Sequence, residues 1–380
     1  MLDVLVVGAG PAGAIAATIL ARAGARVRIV DRATFPRDKL CGDTVNPGTL
    51  AMLRRLNVAG TIDTCGLRVA GMRVTGENGV VIEGRYPDAS AGRALLRRHF
   101  DWMLLQDALA AGAQFEPAFT VRRALVDADG VAGVWVSGRQ FEGALRARVT
   151  IAADGRRSTL AFGLGLARHP ARPRRWAIGA YVENTALVTP PRELGEMHVR
   201  SGRYIGIAPV PGGLTNVCLV KPWSPGDRAL GDPRTELLAE LARDRGLRDR
   251  FAGARLVGTP AVLGPLAVEV GDASIDGLLL AGDAAGFIDP MTGDGLRFAV
   301  RGAELAAHAA LESLEHGWHG VHERLRAKRR AEFAGKWRFN RLLRALVASP
   351  AAVAAASAGA RVAPSALHFA IAYAGDVGQA

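Results

Sequence analysis

The first thirty residues switch between two apolar periods. LDVLVVG reads as a short strand, the Ala/Ile/Leu-rich run to Ala23 reads as a helix that Gly24 is placed to end, and RVRIVD reads as a second strand closing at Asp31. Helical spacing returns at Pro47 to Leu56. The pattern then becomes strand-like, with VTGENGVVIEG predicting a hairpin around Asn78-Gly79. Arg93 to Ala113 is helical by spacing, and Phe119 to Ala152 reads as a three-stranded meander. A second strand-rich block runs from about Trp176 to Lys221, followed by a polar helix, Pro233 to Arg245, a strand GLLLAG ending at Gly282, and a helix from Gly295 to Ala310. The tail AAVAAASAGA is low in complexity and reads as a loose helix or linker, and no internal repeat points to a solenoid.

Composition narrows this picture. At 380 residues the chain is long enough for two interleaved domains, and no apolar stretch approaches the roughly 20 residues needed to span a bilayer. The apolar opening lacks the basic start of a signal peptide and reads as part of the mature fold. Cys41, Cys65 and Cys218 are odd in number and not spaced for metal, which argues against a disulfide framework and a zinc site and fits a reducing cytoplasm. His316, His319 and His322 recur every three residues, but in a polar segment that argues for surface rather than metal.

The formal charge of +12 is uneven: from Arg324 to Arg344 nine basic residues stand against Glu332 alone. Leu325, Phe333, Trp337, Leu342 and Leu343 are interleaved with them. Two readings follow, a solvated helix face or an amphipathic helix over residues 324–344 that meets an anionic membrane as a peripheral contact. No nucleic-acid module accompanies the charge, so nucleic acid is not an expected partner.

The chemistry starts at Gly8-Ala9-Gly10-Pro11-Ala12-Gly13, which follows a predicted strand and opens a helix. In that context Gly8 allows the tight turn, Gly10 lets the backbone approach a pyrophosphate, and Gly13 lets helix and strand pack closely, with the phosphates at the positive helix end. Asp31, 18 residues beyond Gly13 and followed by Arg32, is positioned for ribose hydroxyls. This unit predicts a dinucleotide without choosing between FAD and NAD.

Two later segments make that choice. Ala152-Ala153-Asp154-Gly155-Arg156-Arg157-Ser158 follows a strand. Leu280 to Gly295, read LAGDAAGFIDPMTGDG, carries Asp283 at a strand end, where its carboxylate suits ribityl hydroxyls, and a loop with Pro290, Gly293 and Gly295 just before a helix. Backbone amides there suit the flavin pyrimidine edge, where negative charge develops on reduction. Together with Gly8 to Gly13 these segments resemble the three fingerprints of the flavoprotein family that includes the aromatic hydroxylases, the geranylgeranyl reductases and the flavin halogenases. Lys39-Leu40-Cys41-Gly42-Asp43 and the form GDAAGFIDPMTGDG resemble the geranylgeranyl reductase branch most.

The resemblance implies an α/β fold: a Rossmann-type FAD-binding domain (1–65, 97–170 and 270–345), an interleaved antiparallel β-sheet substrate domain (66–96 and 171–269), and a C-terminal helical tail (346–380). It implies FAD as cofactor. It also implies that Arg97, three residues before Phe100-Asp101, reaches the phosphate or ribityl region, that the backbone near Val121 meets the adenine, and that Cys41 and Gly42 lie at the flavin, with Cys41 the candidate proton donor. No second Gly-rich fingerprint is present, so transiently docked NAD(P)H is the expected electron donor.

The substrate strand departs from the reductases. Where they carry Tyr-x-Trp-x-Phe-Pro, this chain has Tyr204-Ile205-Gly206-Ile207-Ala208-Pro209, so Gly206 and Ala208 predict a wider pocket. From the sequence the first expectation is therefore an FAD-dependent, NAD(P)H-driven monooxygenase or oxidative tailoring enzyme acting on an apolar aromatic or polyketide-like molecule. The alternatives are a geranylgeranyl reductase-like ene-reductase acting on an isoprenoid lipid, and a non-catalytic flavin-binding redox partner. The paired-tryptophan motifs of halogenases are absent.

Overall fold

The computed structural model describes residues 2–77, 79–139, 141–171, 174–184, 193–223, 230–362 and 364–377. The opening run forms strand β1 (Leu2–Val7), helix α1 (Pro11–Arg22) and strand β2 (Val27–Asp31), as the apolar pattern predicts. Strand β3 (Thr44–Val45), helix α2 (Pro47–Arg55), a single turn α3 (Ile62–Cys65) and strands β4 (Leu67–Val69), β5 (Gly71–Thr75), β6 (Val81–Arg85) and β7 (Gly92–Ala94) precede helix α4 (Arg97–Ala110). Next come β8 (Gln114–Pro117), the meander β9 (Thr120–Asp127), β10 (Gly130–Ser137) and β11 (Glu142–Ala152), then α5 (Thr159–Gly163) and β12 (Ala167–Arg168). Strands β13 (Arg175–Glu183), β14 (Leu194–Arg200), β15 (Arg203–Val210) and β16 (Leu214–Pro222) lead to α6 (Pro233–Arg243), α7 (Arg248–Phe251) and β17 (Arg255–Leu263). The chain ends with β18 (Glu269–Val270), β19 (Leu278–Leu280) and four helices, α8 (Gly295–His316), α9 (Val321–Ala348), α10 (Pro350–Val362) and α11 (Pro364–Ala374).

Two seven-stranded sheets carry the architecture. In the first, β8, β2, β1 and β11 run parallel, β19 joins β11 in parallel, and β10 and β9 continue antiparallel from β11. Val4 to Val7 of β1 are buried on both faces, as a central parallel strand must be. One face is covered by α1, whose Ala14, Ala16 and Ala17 let it lie close to the equally alanine-rich α8. The second sheet has the order β17-β13-β16-β15-β14-β5-β6 and is antiparallel except where β14 meets β5. The α10 helix packs on β14 and α11 packs on β6, so the C-terminal helices bridge from α9 to this second sheet.

Three expectations can be set against the structure. The helix expected over Arg93 to Ala113 starts only at Arg97, because Gly92–Ala94 is a strand held between β3 and β4: Arg93 pairs with Val45 and Arg68, Ala94 with Thr44 and Leu67. These partners are remote in sequence, so local spacing cannot reveal them. The β5–β6 hairpin forms in register from Gly71↔Arg85 to Thr75↔Val81, while its Asn78 lies outside the described residues.

The third concerns α9. Leu325 and Phe333 are buried, Trp337 packs partly against the same core, and Phe333 meets Phe298 edge-on at 5.1 Å. Arg329 donates to the carbonyl of Leu280, and Lys336 is buried. Most of the apolar stripe between 324 and 344 is thus the inner face of a core helix, and only its C-terminal end keeps an apolar residue outside, Leu342, 65% exposed. Among the described residues no helix is long and apolar enough to cross a membrane.

Candidate functional site

The Gly-rich turn divides its labour. Gly8 has φ +100°, and a Cβ there would lie 2.5 Å from the carbonyl oxygen of Ala153; at Gly13 a Cβ would lie 1.8 Å from that of Gly8. These two glycines serve close packing. Gly10, Pro11 and Ala12 instead line a cavity of about 510 Å³. The α1 helix begins there with Gly10 as its N-cap and no side-chain cap, so its first amides are available to an anion. Asp31 accepts from the amides of Ala9 and Ala33, both at 2.8 Å, and so ties the turn to the end of β2. Arg32 lines the cavity. Val121 is packed in the core beside Leu5 and Val30 and, like Gly8, Gly13 and Asp31, contributes no lining side chain.

A second wall comes from the end of β11. Asp154 and Gly155 line the cavity, and Asp154 Oδ2 accepts from the Thr159 amide at 2.8 Å while Oδ1 is buried with no partner. Burial pushes this carboxyl up, against its hydrogen bonds from Ser158 and Thr159. The third wall comes from beyond β19. Asp283 lines the cavity, and no protein donor reaches its carboxylate among the described residues. Burial raises its pKa, and the nearby cations Lys39, Arg97 and Arg156 pull it back. Lys39 is pushed down, first by desolvation and then by repulsion from Arg97.

Arg97 is buried and binds Asp101 bidentately at 2.7 and 2.9 Å; Arg37 joins the same carboxylate at 3.0 Å. The Arg97 guanidinium also touches the thiol of Cys41. Cys41 and Gly42 line the cavity, with Asp43 directly behind them. Asn216 Nδ2 donates to the Cys41 carbonyl at 2.9 Å and to Asp43 Oδ2 at 2.7 Å. Burial lifts Asp43 to about 6, although Tyr181 and Asn216 hydrogen-bond its ionised form.

On the substrate side, Tyr204, Gly206 and Ala208 alternate along β15 and all face the cavity. The Tyr204 hydroxyl donates to Asp289 Oδ1 at 2.5 Å, and Arg175 stands 3.6 Å from the other carboxylate oxygen. A Cβ at Gly206 would meet nothing nearer than 3.9 Å. Pro290, Gly293 and Gly295 form the loop entering α8, with Gly293 in the left-handed region at φ +70°. The α8 helix also lacks a side-chain N-cap, so its first amides are open toward the cavity.

These features fit an FAD. The buried Asp154 Oδ1, which has no partner among the described residues, and the Asp283 carboxylate match sugar and ribityl hydroxyls, the uncapped start of α1 and the cations beside it match a pyrophosphate, and the start of α8 matches the flavin ring edge. Reasoning from sequence missed Lys39, Arg156 and Asn216 as members of this wall, and Asp289 and Arg175 as the pair behind Tyr204. Arg156 and Asp289 stood inside the motifs already singled out, but Asn216 and Arg175 had no local signal. The three histidines do not converge: His322 stacks on Trp318 at 5.1 Å, and the described residues hold no group of three metal ligands.

Comparison with known proteins agrees with this geometry. The family model described as FAD binding domain matches residues 1–335. The menaquinone reductase of Mycolicibacterium smegmatis is 33% identical over 319 residues, covering 80% of this chain and 75% of that protein. The digeranylgeranylglycerophospholipid reductase 2 of Methanopyrus kandleri is 32% identical over 329 residues, covering 82% and 78%. Among solved structures, the flavin-dependent brominase Bmp2 superposes with a TM-score of 0.84 at 19% identity, covering 99% of this chain and 94% of that one. A geranylgeranyl bacteriochlorophyll reductase-like protein from Thermoplasma acidophilum gives 0.78 at 22% identity, covering 91% and 87%. Both superpositions speak to the fold alone.

Proposed function

Since this chain belongs to the FAD binding domain family and is an FAD-dependent oxidoreductase, we propose that it reduces a carbon–carbon double bond in a long isoprenoid lipid, such as the polyprenyl chain of a quinone. The observation that carries this reading is the lining of the cavity. Cys41, Asp283 and the Pro290–Gly295 loop share it with apolar side chains of the C-terminal helices, among them Leu343, Leu346, Val353 and Ile371. An extended apolar chain fits such a space better than a compact polar molecule. The reductases that share about a third of this sequence act, by their names, on lipids of this kind.

FAD, when bound and reduced, supplies the hydride. The chain's own residues then have to exclude water and deliver one proton to the neighbouring carbon. Several protic side chains line the cavity, Cys41, Tyr204, Cys218 and Thr292 among them. Burial and the adjacent Asp289 carboxylate hold the Tyr204 hydroxyl protonated, burial pushes the Cys218 thiol up to about 12, and the Thr292 hydroxyl donates to Asn340. We therefore assign the proton to Cys41, with the Arg97 guanidinium beside it to stabilise the thiolate that forms. NAD(P)H docking transiently is the proposed source of electrons. The division into FAD-binding segments 1–65, 97–170 and 270–345 and substrate segments 66–96 and 171–269 belongs to the same reading.

The test is anaerobic. Enzyme carrying reduced FAD, mixed with menaquinone in detergent, is expected to reoxidise its flavin and, once air has returned any quinol to quinone, to yield a quinone whose polyprenyl chain is heavier by two hydrogens. The Cys41→Ala variant should slow that step by about a hundredfold or more while leaving flavin reduction by NAD(P)H unchanged. A second reading, monooxygenation of a broad aromatic or polyketide-like substrate, is favoured by the open space at Gly206 and Ala208. Flavin reoxidation that requires oxygen and adds one oxygen atom to substrate would establish it in place of the first.

A further inference from the structure

The part of the cavity wall made by the C-terminal helices has an outer surface with a character of its own. On the last turns of α9, Arg338, Arg341, Leu342 and Ala345 are exposed, at a spacing that puts them on one helix face. Phe339, Leu343, Leu346 and Val347 of the same turns line the cavity on the opposite face. The α11 helix repeats the arrangement: Phe369 points outward while Ala370 and Ile371 line the cavity. Tyr373 joins the two helices, meeting Phe339 edge-on at 5.0 Å and stacking on Phe369 at 6.3 Å.

Phe369 at 72% and Leu342 at 65% are the two most exposed large apolar side chains among the described residues, and both sit over this one end of the molecule. Arg338 and Arg341 beside them form no ion pair among the described residues. By contrast Arg324 and Arg326, at the start of α9, are matched by Glu312 and Asp272. Unmatched cations flanking exposed apolar side chains form the pattern of a helix pair resting in the headgroup layer of an anionic bilayer.

We propose that the C-terminal ends of α9 and α11 dock on an anionic membrane surface, and that a lipid chain enters the cavity from the membrane between these helices. The entry of a lipid rests on the isoprenoid reading given above; the docking does not. The inner faces of the same two helices line the cavity, so a docked molecule would bring the cavity wall against the bilayer. The charge and the apolar pair occur together, which favours a lipid surface over a nucleic acid or a purely polar protein partner.

The experiment uses the FAD-loaded full chain and flotation with vesicles of phosphatidylcholine alone or mixed with phosphatidylglycerol. The wild type is expected to float with the anionic vesicles and to be released as salt rises. R338Q/R341Q should weaken that partition roughly thirtyfold, and L342S/F369S more than about tenfold. All four positions are exposed, so flavin content and melting temperature should stay at wild-type values. Wild-type protein left at the bottom of both gradients would overturn the proposal, as would equal flotation of the variants or equal binding to both vesicle types. Turnover of detergent-dispersed menaquinone is measured separately, so a failed reductase assay and a failed flotation are different results.

Discussion

At the residue scale, two carboxylates have opposite roles. Asp283 lines the cavity without a protein donor among the described residues, held among three cations. A ligand bearing hydroxyls supplies the missing hydrogen bonds, and bonds to a charged acceptor are worth about 1.5–3 kcal/mol each. Asp283→Asn is therefore expected to weaken FAD binding to apoprotein about tenfold or more, read by titration of flavin fluorescence. Asp43 stands behind the wall and already has its partners in Asn216, Tyr181 and the Arg97 amide. Its folded-state pKa of about 6 lies above the usual 3.8, so the folded protein holds this proton more tightly than the unfolded chain. Stability from this group is greatest below about pH 4, falls as pH rises toward about 6, and is level beyond. Asp43→Asn should flatten that fall, which amounts to about 2–3 kcal/mol, in urea melts run between pH 4 and 7.

Elements in this molecule are held by contacts that their own sequences only half announce. The α9 helix shows this well. Its periodicity was legible, but whether Phe333 and Trp337 faced lipid or core depended on α8, whose Phe298 receives them. Its Lys336 is buried between Asp294 at 3.3 Å and Asp376 at 3.6 Å and also donates to the Tyr373 carbonyl. Asn340 bridges Asp294 and the Thr292 hydroxyl, so this cluster fastens the loop at the start of α8 to the C-terminal segment. Removing the lysine leaves two buried carboxylates without their shared cation, a loss of about 3–5 kcal/mol. Lys336→Met is expected to lower the urea midpoint accordingly and to release FAD more readily. Strand β7 teaches the converse lesson: Arg93 to Leu96 looked helical because its two partner strands are remote in sequence, and only pairing with them makes it a strand.

Over the whole molecule, the cofactor side was the more legible half. Gly8 to Gly13, Asp154-Gly155 and Asp283 to Gly295 each pair a strand end with a sharp turn, and turn chemistry is local enough to read in one sequence. The chamber beyond them was not readable in the same way, because it is assembled from β5, β6, β14, β15 and three helices, and apart from the β5–β6 hairpin nothing local in their sequences says that they meet. Tyr204, Gly206 and Ala208 were found through the strand they share in outline with the reductases, yet Asp289, the partner of Tyr204, lies on another strand's exit loop. A chain truncated after residue 290 keeps all of the second sheet's strands but loses α8, which covers α1. Such a fragment is expected to retain no flavin after purification, as judged by its absorbance near the flavin bands.

The parallel placement of β1 between β2 and β11, with α8 closing over α1, also sets a timetable. A nascent chain displays the Gly8–Gly13 turn almost at once, but the Asp283 wall emerges some 270 residues later. At ordinary translation speeds that interval is on the order of tens of seconds. Throughout it the apolar strand Val4–Val7 and the alanine face of α1 lack part of their cover. This protein must therefore be met by its flavin only after most of the chain has left the ribosome, whereas a chaperone guarding that early surface has to act during the interval.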